Sequence, residues 1–219
     1  MSGKAKKAAP PELGRKGAYV LRNRAALLRS TREVLATKGK SATIEDIAEH
    51  AEVAVSTVYK HFKDKDALIS ATILAAFAEW EPWAMSFAEE FSDPLEQFVM
   101  PMRVFVRLNQ THPHNAQTLV NYFDVIAQIV PQLQATMLGH VKTLTKTKIL
   151  TISNPEIAAK NLHAILTFAV INQVKNPKAT ENDADEAVRI GLSMLGISDA
   201  KAKKIMQIPF PKLKAQRSS

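Results

Sequence analysis

Cysteine is absent from the 219 residues, which excludes disulfides and thiolate metal ligation within the chain. Glycine is scarce, at 7, and no glycine-rich phosphate loop or G-x-S-x-G nucleophile elbow can be assembled from it. No uninterrupted apolar run approaches the roughly 20 residues needed to cross a bilayer. Residues 1–20, MSGKAKKAAPPELGRKGAYV, bear charges but no hydrophobic stretch of signal-peptide type. A cytoplasmic protein without a membrane partner is therefore expected. His112, His114, His140 and His163, with Asp124, are the side chains that could suggest a metal or acid–base centre, but none falls at H-E-x-x-H or comparable spacing. The reading is of a non-enzyme with no cofactor and no bound metal. What remains is Ala, Leu, Lys and Glu recurring at helical spacing, and the fold class expected is all-α.

The stretch from Thr43 to Leu68, TIEDIAEHAEVAVSTVYKHFKDKDAL, organises the chain as two short helices joined by a tight turn and followed by a third. Thr43 and Asp46 form a start signal whose side-chain oxygens satisfy free amides. Ile44, Ile47, Ala48 and Ala51 then share one face, with Glu45 and Glu49 outward. After a turn near Glu52 and Val53, a helix of about two turns spans Val55 to His61, too short to stand alone. Val55, Val58 and Phe62 can face inward. Ser56, Thr57, Tyr59 and Lys60 are left outside, hydroxyls and a cation of the kind that meets phosphates and base edges in a major groove.

The order Ile47-Ala48, Ala51, Val53, Thr57, Val58-Tyr59, His61-Phe62, Lys65 and Leu68 resembles the DNA-binding domain of the TetR family of bacterial transcriptional regulators. The resemblance reaches back through RAALLRSTREVLATKG to cover residues 22–70. Three positions depart from the family pattern: Glu52 for Gly in the turn, Ala54 for Ser, and Ser56 for Gly. A positive φ at Glu52 would cost about 1 kcal/mol, and Ala54 gives up an N-cap of about that size. The side chain at Ser56 stands where bare backbone usually meets DNA, so operator preferences do not transfer. The resemblance implies a homodimer on a near-palindromic operator in double-stranded DNA, with a repressor released by a small-molecule effector. Thr43, Tyr59, His61 and Lys65 would then position phosphates, and Ser56, Thr57 and Lys60 would contact the groove. Val55 would meet a thymine methyl or stay in the core. The alternative is a ligand-independent architectural DNA-binding or interaction protein.

Charge supports a basic head on a mildly acidic body. Residues 1–65 hold 14 Lys or Arg against 7 Asp or Glu, residues 66–198 hold 9 against 13, and residues 199–219 hold 6 against 1. The organisation expected is a basic arm over 1–17, a helix-turn-helix domain over 18–64, a helical ligand-binding and dimerisation domain over 65–199 in a fold of about nine helices, and a mobile basic tail over 200–219. Lys4, Lys6, Lys7, Arg15 and Lys16 are candidates for an arm that tracks phosphates. In the first helix, Ala25, Leu28, Val34 and Leu35 supply the buried stripe, while Arg22, Arg29 and Arg32 point mostly outward.

Downstream, Asp64 caps a helix that runs to about Trp80, where Pro82 breaks or kinks it. Asp93-Pro94 opens another, through Asn109, with Glu96, Arg103, Arg107 and Gln110 as a solvated face. A helix through Leu119, Tyr122, Phe123 and Ile126 follows, and Pro131 opens the next. The helix over residues 155–175 is apolar on nearly all sides. With residues 181–195 it forms the expected dimer interface, where Gly191 permits close approach. Pro209 and Pro211 make residues past about Ala200 a poor helix. The resemblance implies a ligand pocket, and Phe77, Trp80, Trp83, Phe87, Phe105, Tyr122, Phe123, Met137, His140, His163 and Phe168 are candidates to line it around an apolar or amphipathic ligand.

Overall fold

In the computed structural model, the described residues are 15–210, with side chains described at Val20 and from Arg22 onward. The expected arm residues Lys4, Lys6 and Lys7, the side chains of Arg15 and Lys16, and the tail beyond Phe210 lie outside them. Everything described is helical or loop. The elements are α1 (Arg15–Lys38), α2 (Ile44–His50), α3 (Val55–His61), α4 (Lys65–Ser86), α5 (Pro94–Phe105), α6 (Leu108–Thr111), α7 (Pro113–Asn121), α8 (Phe123–Leu133), α9 (Ala135–Lys146), α10 (Pro155–Lys175), α11 (Glu181–Met194) and α12 (Asp199–Met206).

The head forms where local signals and burial agree. Thr43 Oγ1 accepts from the Asp46 amide while Asp46 accepts from the Thr43 amide, so α2 begins with a complete capping box. Leu27, Leu28, Val34 and Leu35 of α1 pack against Ile44, Ile47, Val58, Phe62, Leu68 and Ile69. Ala25 is exposed, and Leu27 takes the inward place instead. Asp64 accepts from the Ala67 amide at 2.8 Å and starts α4. Tyr122 and Val125, from the body, complete this cluster.

Helix α4 runs unbroken to Ser86 through Pro82. The proline removes one amide donor, but Trp80 and Ala84 on either side are buried in the body and hold the last turn in place. Pro131 likewise falls inside α8, whose Ile129 and Leu133 are buried, and the next helix starts at Ala135. The helix expected through Leu119 and Ile126 is two, α7 and α8, divided at Tyr122, whose hydroxyl donates to the Gly39 carbonyl. Residues 199–206 form α12 rather than a poor helix. Ser198 caps it, and Ala202 and Ile205 are buried in the largest body cluster.

The body packs α5, α9, α10, α11 and α12 around one cluster, and α4, α7, α8 and α10 around another. Gly191 of α11 lies against Leu162 of α10, where an added Cβ would stand 2.6 Å from Leu162 Cδ1. Its close approach therefore serves packing within the chain. Arg103 and Arg107 overturn the expectation of a solvated face, being 3 % and 2 % exposed. Both pair with Asp185, at 3.0 and 2.9 Å. Arg103 also donates to the Ile208 carbonyl, and both guanidiniums lie over the Phe210 ring.

Candidate nucleic-acid interface and effector cavity

The short helix α3 is held from beneath and presented from above. Val58 and Phe62 are buried in the head cluster and Val55 packs half-buried against it. Ser56, Tyr59 and Lys60 are exposed, Tyr59 at 54 %, while Thr57 and His61 are half-buried. Thr43 is exposed at the start of α2. Lys65 stands in the first turn of α4, its Nζ 3.5 Å from the Lys40 carbonyl. These eight residues lie along α3 and on the two helix starts beside it. Arg24 of α1 joins them, its guanidinium 5.2 Å from the centre of the Phe62 ring.

The turn before α3 carries the departures noted in the sequence. Glu52 takes a φ of 53°, a left-handed conformation that costs a side chain of its kind about 1 kcal/mol. Ala54 occupies the N-cap without a side-chain hydrogen bond. The turn closes nonetheless, through Ala51 to the Ile47 carbonyl and Val53 to the Ala48 carbonyl.

In the body, two adjoining lobes of about 70 Å³ each share Phe77, Trp80, Phe105, Leu133 and His163 in their walls. Met137 and His140 line the second lobe. Of the expected ligand residues, Phe77, Trp80, Phe105, Met137, His140 and His163 are thus brought together. The others are elsewhere for physical reasons. Tyr122 belongs to the head cluster, tied by its hydroxyl to Gly39. Trp83 packs edge-on against Phe87 and His112. Phe123 and Phe168 pair with each other, 5.5 Å apart, on the outer surface.

His163 is buried, and burial pushes its pKa below the ordinary 6.5, leaving it neutral. His112 is shifted the same way, by burial and then by the charge of Arg32. Arg32 itself was expected to point outward. Its side chain is 13 % exposed, pairs with Glu79 at 2.8 Å and lines the first lobe. The signal was present, since Leu28, Arg32 and Leu35 fall at i, i+4 and i+7 on the apolar stripe.

The chain thus combines a three-helix head that presents a short exposed helix in helix-turn-helix arrangement with a helical body that holds a cavity. Residues 27–72 match the family described as bacterial regulatory proteins, tetR family. The head of this chain is therefore similar in sequence to the amino-terminal domain of that family, and the whole chain has the fold of solved TetR-family transcriptional regulators. The regulator RolR in complex with resorcinol shares 21 % identity over 90 % of this chain and 99 % of its own, with a TM-score of 0.74. A protein from Rhodococcus sp. described as a TetR-family transcriptional regulator shares 17 % over 80 % of this chain and 99 % of its own, with a TM-score of 0.66. FadR from Bacillus subtilis, in complex with stearoyl-CoA, shares 15 % over 78 % of this chain and 95 % of its own, at 0.60. No curated protein matches the chain in sequence.

Proposed function

We propose that the chain is a cytoplasmic homodimeric repressor that reads a near-palindromic operator and releases it when a small apolar or amphipathic molecule enters the body cavity. The observation that carries this reading is α3: Ser56, Tyr59 and Lys60 exposed on a helix whose opposite side is locked into the head cluster. Two such helices about 34–36 Å apart would enter successive major grooves. Thr43, Tyr59, His61 and Lys65 would hold phosphates, and Ser56, Thr57 and Lys60 would read the groove. Dimerisation is supported by apolar side chains left exposed on α10 and α11, namely Ile157 and Phe168, Ile190 and Met194. A ligand controls such a protein through its different affinities for the bound and released states. Resorcinol in RolR and stearoyl-CoA in FadR support a small-molecule effector for the shared fold.

The test is selection of bound genomic fragments at near-physiological salt, with a Tyr59→Ala, Lys65→Ala double variant beside the native protein. Enrichment of a palindromic site that the variant loses is expected. Salt-sensitive binding to all fragments, with none enriched, would overturn specific operator reading.

A further inference from the structure

The first lobe of the cavity, lined mainly by apolar side chains with Thr72, Asn115 and His163 among them, also holds a set of buried polar atoms that have no partner in the protein. Trp80 Nε1, Thr118 Oγ1, Thr167 Oγ1 and Arg32 Nε are all buried without a hydrogen bond, and all four residues line this lobe. Two of them, the indole N–H and the guanidinium Nε–H, can only donate. An unpartnered buried donor is unfavourable, so four such groups around one cavity make a site suited to an acceptor. The walls between them are aromatic. Phe77 and Trp80 lie 5.6 Å apart, Trp80 and Phe105 5.5 Å, and Phe105 and His163 6.4 Å, between ring centres.

Charge gives the cavity a direction. Arg32 supplies the cation of the first lobe, and Glu81 lines the second. Glu79 engages Arg32 through one terminal nitrogen but is itself 62 % exposed, leaving Nε free and buried. Building on the effector reading above, we propose that the cavity takes a small aromatic acid. Its ring packs among Phe77, Trp80 and Phe105, and its carboxylate displaces Glu79 as the partner of Arg32. A planar guanidinium suits a carboxylate, and Glu81 disfavours a second acid at the far end. Arg32 belongs to α1, between Thr31 and Val34, both buried in the head. Occupancy is thereby felt on the first helix of the DNA-binding head directly, in addition to α4.

Benzoate and toluene are ring probes of nearly one size that differ in the carboxylate. Their affinities are read by calorimetry and thermal shift on the full chain, with acetate as the ionic control, for the native protein, Arg32→Met and Glu79→Gln. Benzoate is expected to bind the native protein and to lose roughly tenfold or more in Arg32→Met, as for a charge-assisted hydrogen bond. It should bind Glu79→Gln more tightly, because the competing carboxylate is gone. Toluene should bind all three alike, which also reports that each variant is folded. Benzoate affinity indifferent to Arg32→Met, with toluene bound, overturns the role of Arg32 and leaves the effector cavity standing. Benzoate affinity unchanged in Glu79→Gln overturns the exchange with Glu79. Binding of neither ring to any of the three overturns the site and the effector reading of this cavity together, while the operator selection above remains the separate test of DNA binding.

Discussion

Asp185 is one of the side chains that make the fold sensitive to acid. Burial alone would raise its carboxyl, but the hydrogen bonds and charges of Arg103 and Arg107 outweigh this and hold it below the ordinary 3.8. His163, buried without a charged partner, is held below 6.5. Both shifts are downward, so the unfolded chain binds more protons than the folded one in each window, and stability falls as pH falls. The loss begins below about 6.5 for His163 and below about 3.8 for Asp185. Denaturant titrations from pH 7.5 to 3 should show both declines, the first reduced in His163→Gln, with His112 supplying the remainder, and the second reduced in Asp185→Asn. At neutral pH, Asp185→Asn is expected to cost about 3–5 kcal/mol, because two guanidiniums stay buried without their counter-charge.

The turn before α3 offers a prediction at the level of the element. Glu52→Gly removes the left-handed strain but loosens the unfolded chain, for a net gain of at most about 0.5 kcal/mol. Ala54→Ser restores an N-cap for a gain of about 1 kcal/mol. Guanidinium melts of the two variants and their double would read both, with departures from additivity since the sites are neighbours. A loss of stability in Glu52→Gly would mean that the positive φ carries no strain.

These helix starts were legible in the sequence because their physics is local: Thr43 and Asp46, or Asp64 and Ala67, are three residues apart. The arginines were not, because their partners are distant. Arg103 and Asp185 stand 82 positions apart, and a charged residue on an apolar stripe reads as solvated until the opposing carboxylate is known. For Arg32 the place on the apolar stripe was legible, and only its partner Glu79, across α1 and α4, was not. Proline was over-read for a related cause. At Pro82 and Pro131 the burial of neighbours outweighs the lost hydrogen bond, and ahead of Pro209 the cap at Ser198 and the buried Ala202 and Ile205 sustain a helix. The recognition helix was legible as a pattern. The cavity was legible only as a set of aromatics, of which the fold gathered some and spent Tyr122, Trp83 and Phe123 elsewhere.

At the scale of the whole molecule, the exposed apolar residues of α10 and α11 make the assembly state testable. Phe168→Glu with Ile190→Glu should shift sedimentation from dimer to monomer at micromolar concentration and leave helix content unchanged. A monomeric native protein would overturn the proposed dimer, and with it the two-groove geometry.

The end of the described chain has a consequence for how the protein is made. Arg103 and Arg107 acquire the Ile208 carbonyl and the Phe210 ring only when residues about a hundred positions later have left the ribosome. Throughout the synthesis of α6 to α12 the nascent body therefore carries two cationic side chains whose burial is incomplete, and residues 208–210 close it. Translation stopped after Gln207 should yield a body that proteases cut between α5 and α6, whereas stopping after Phe210 should not. Ile208 and Phe210 thus act as a late-arriving seal over the buried arginine pair.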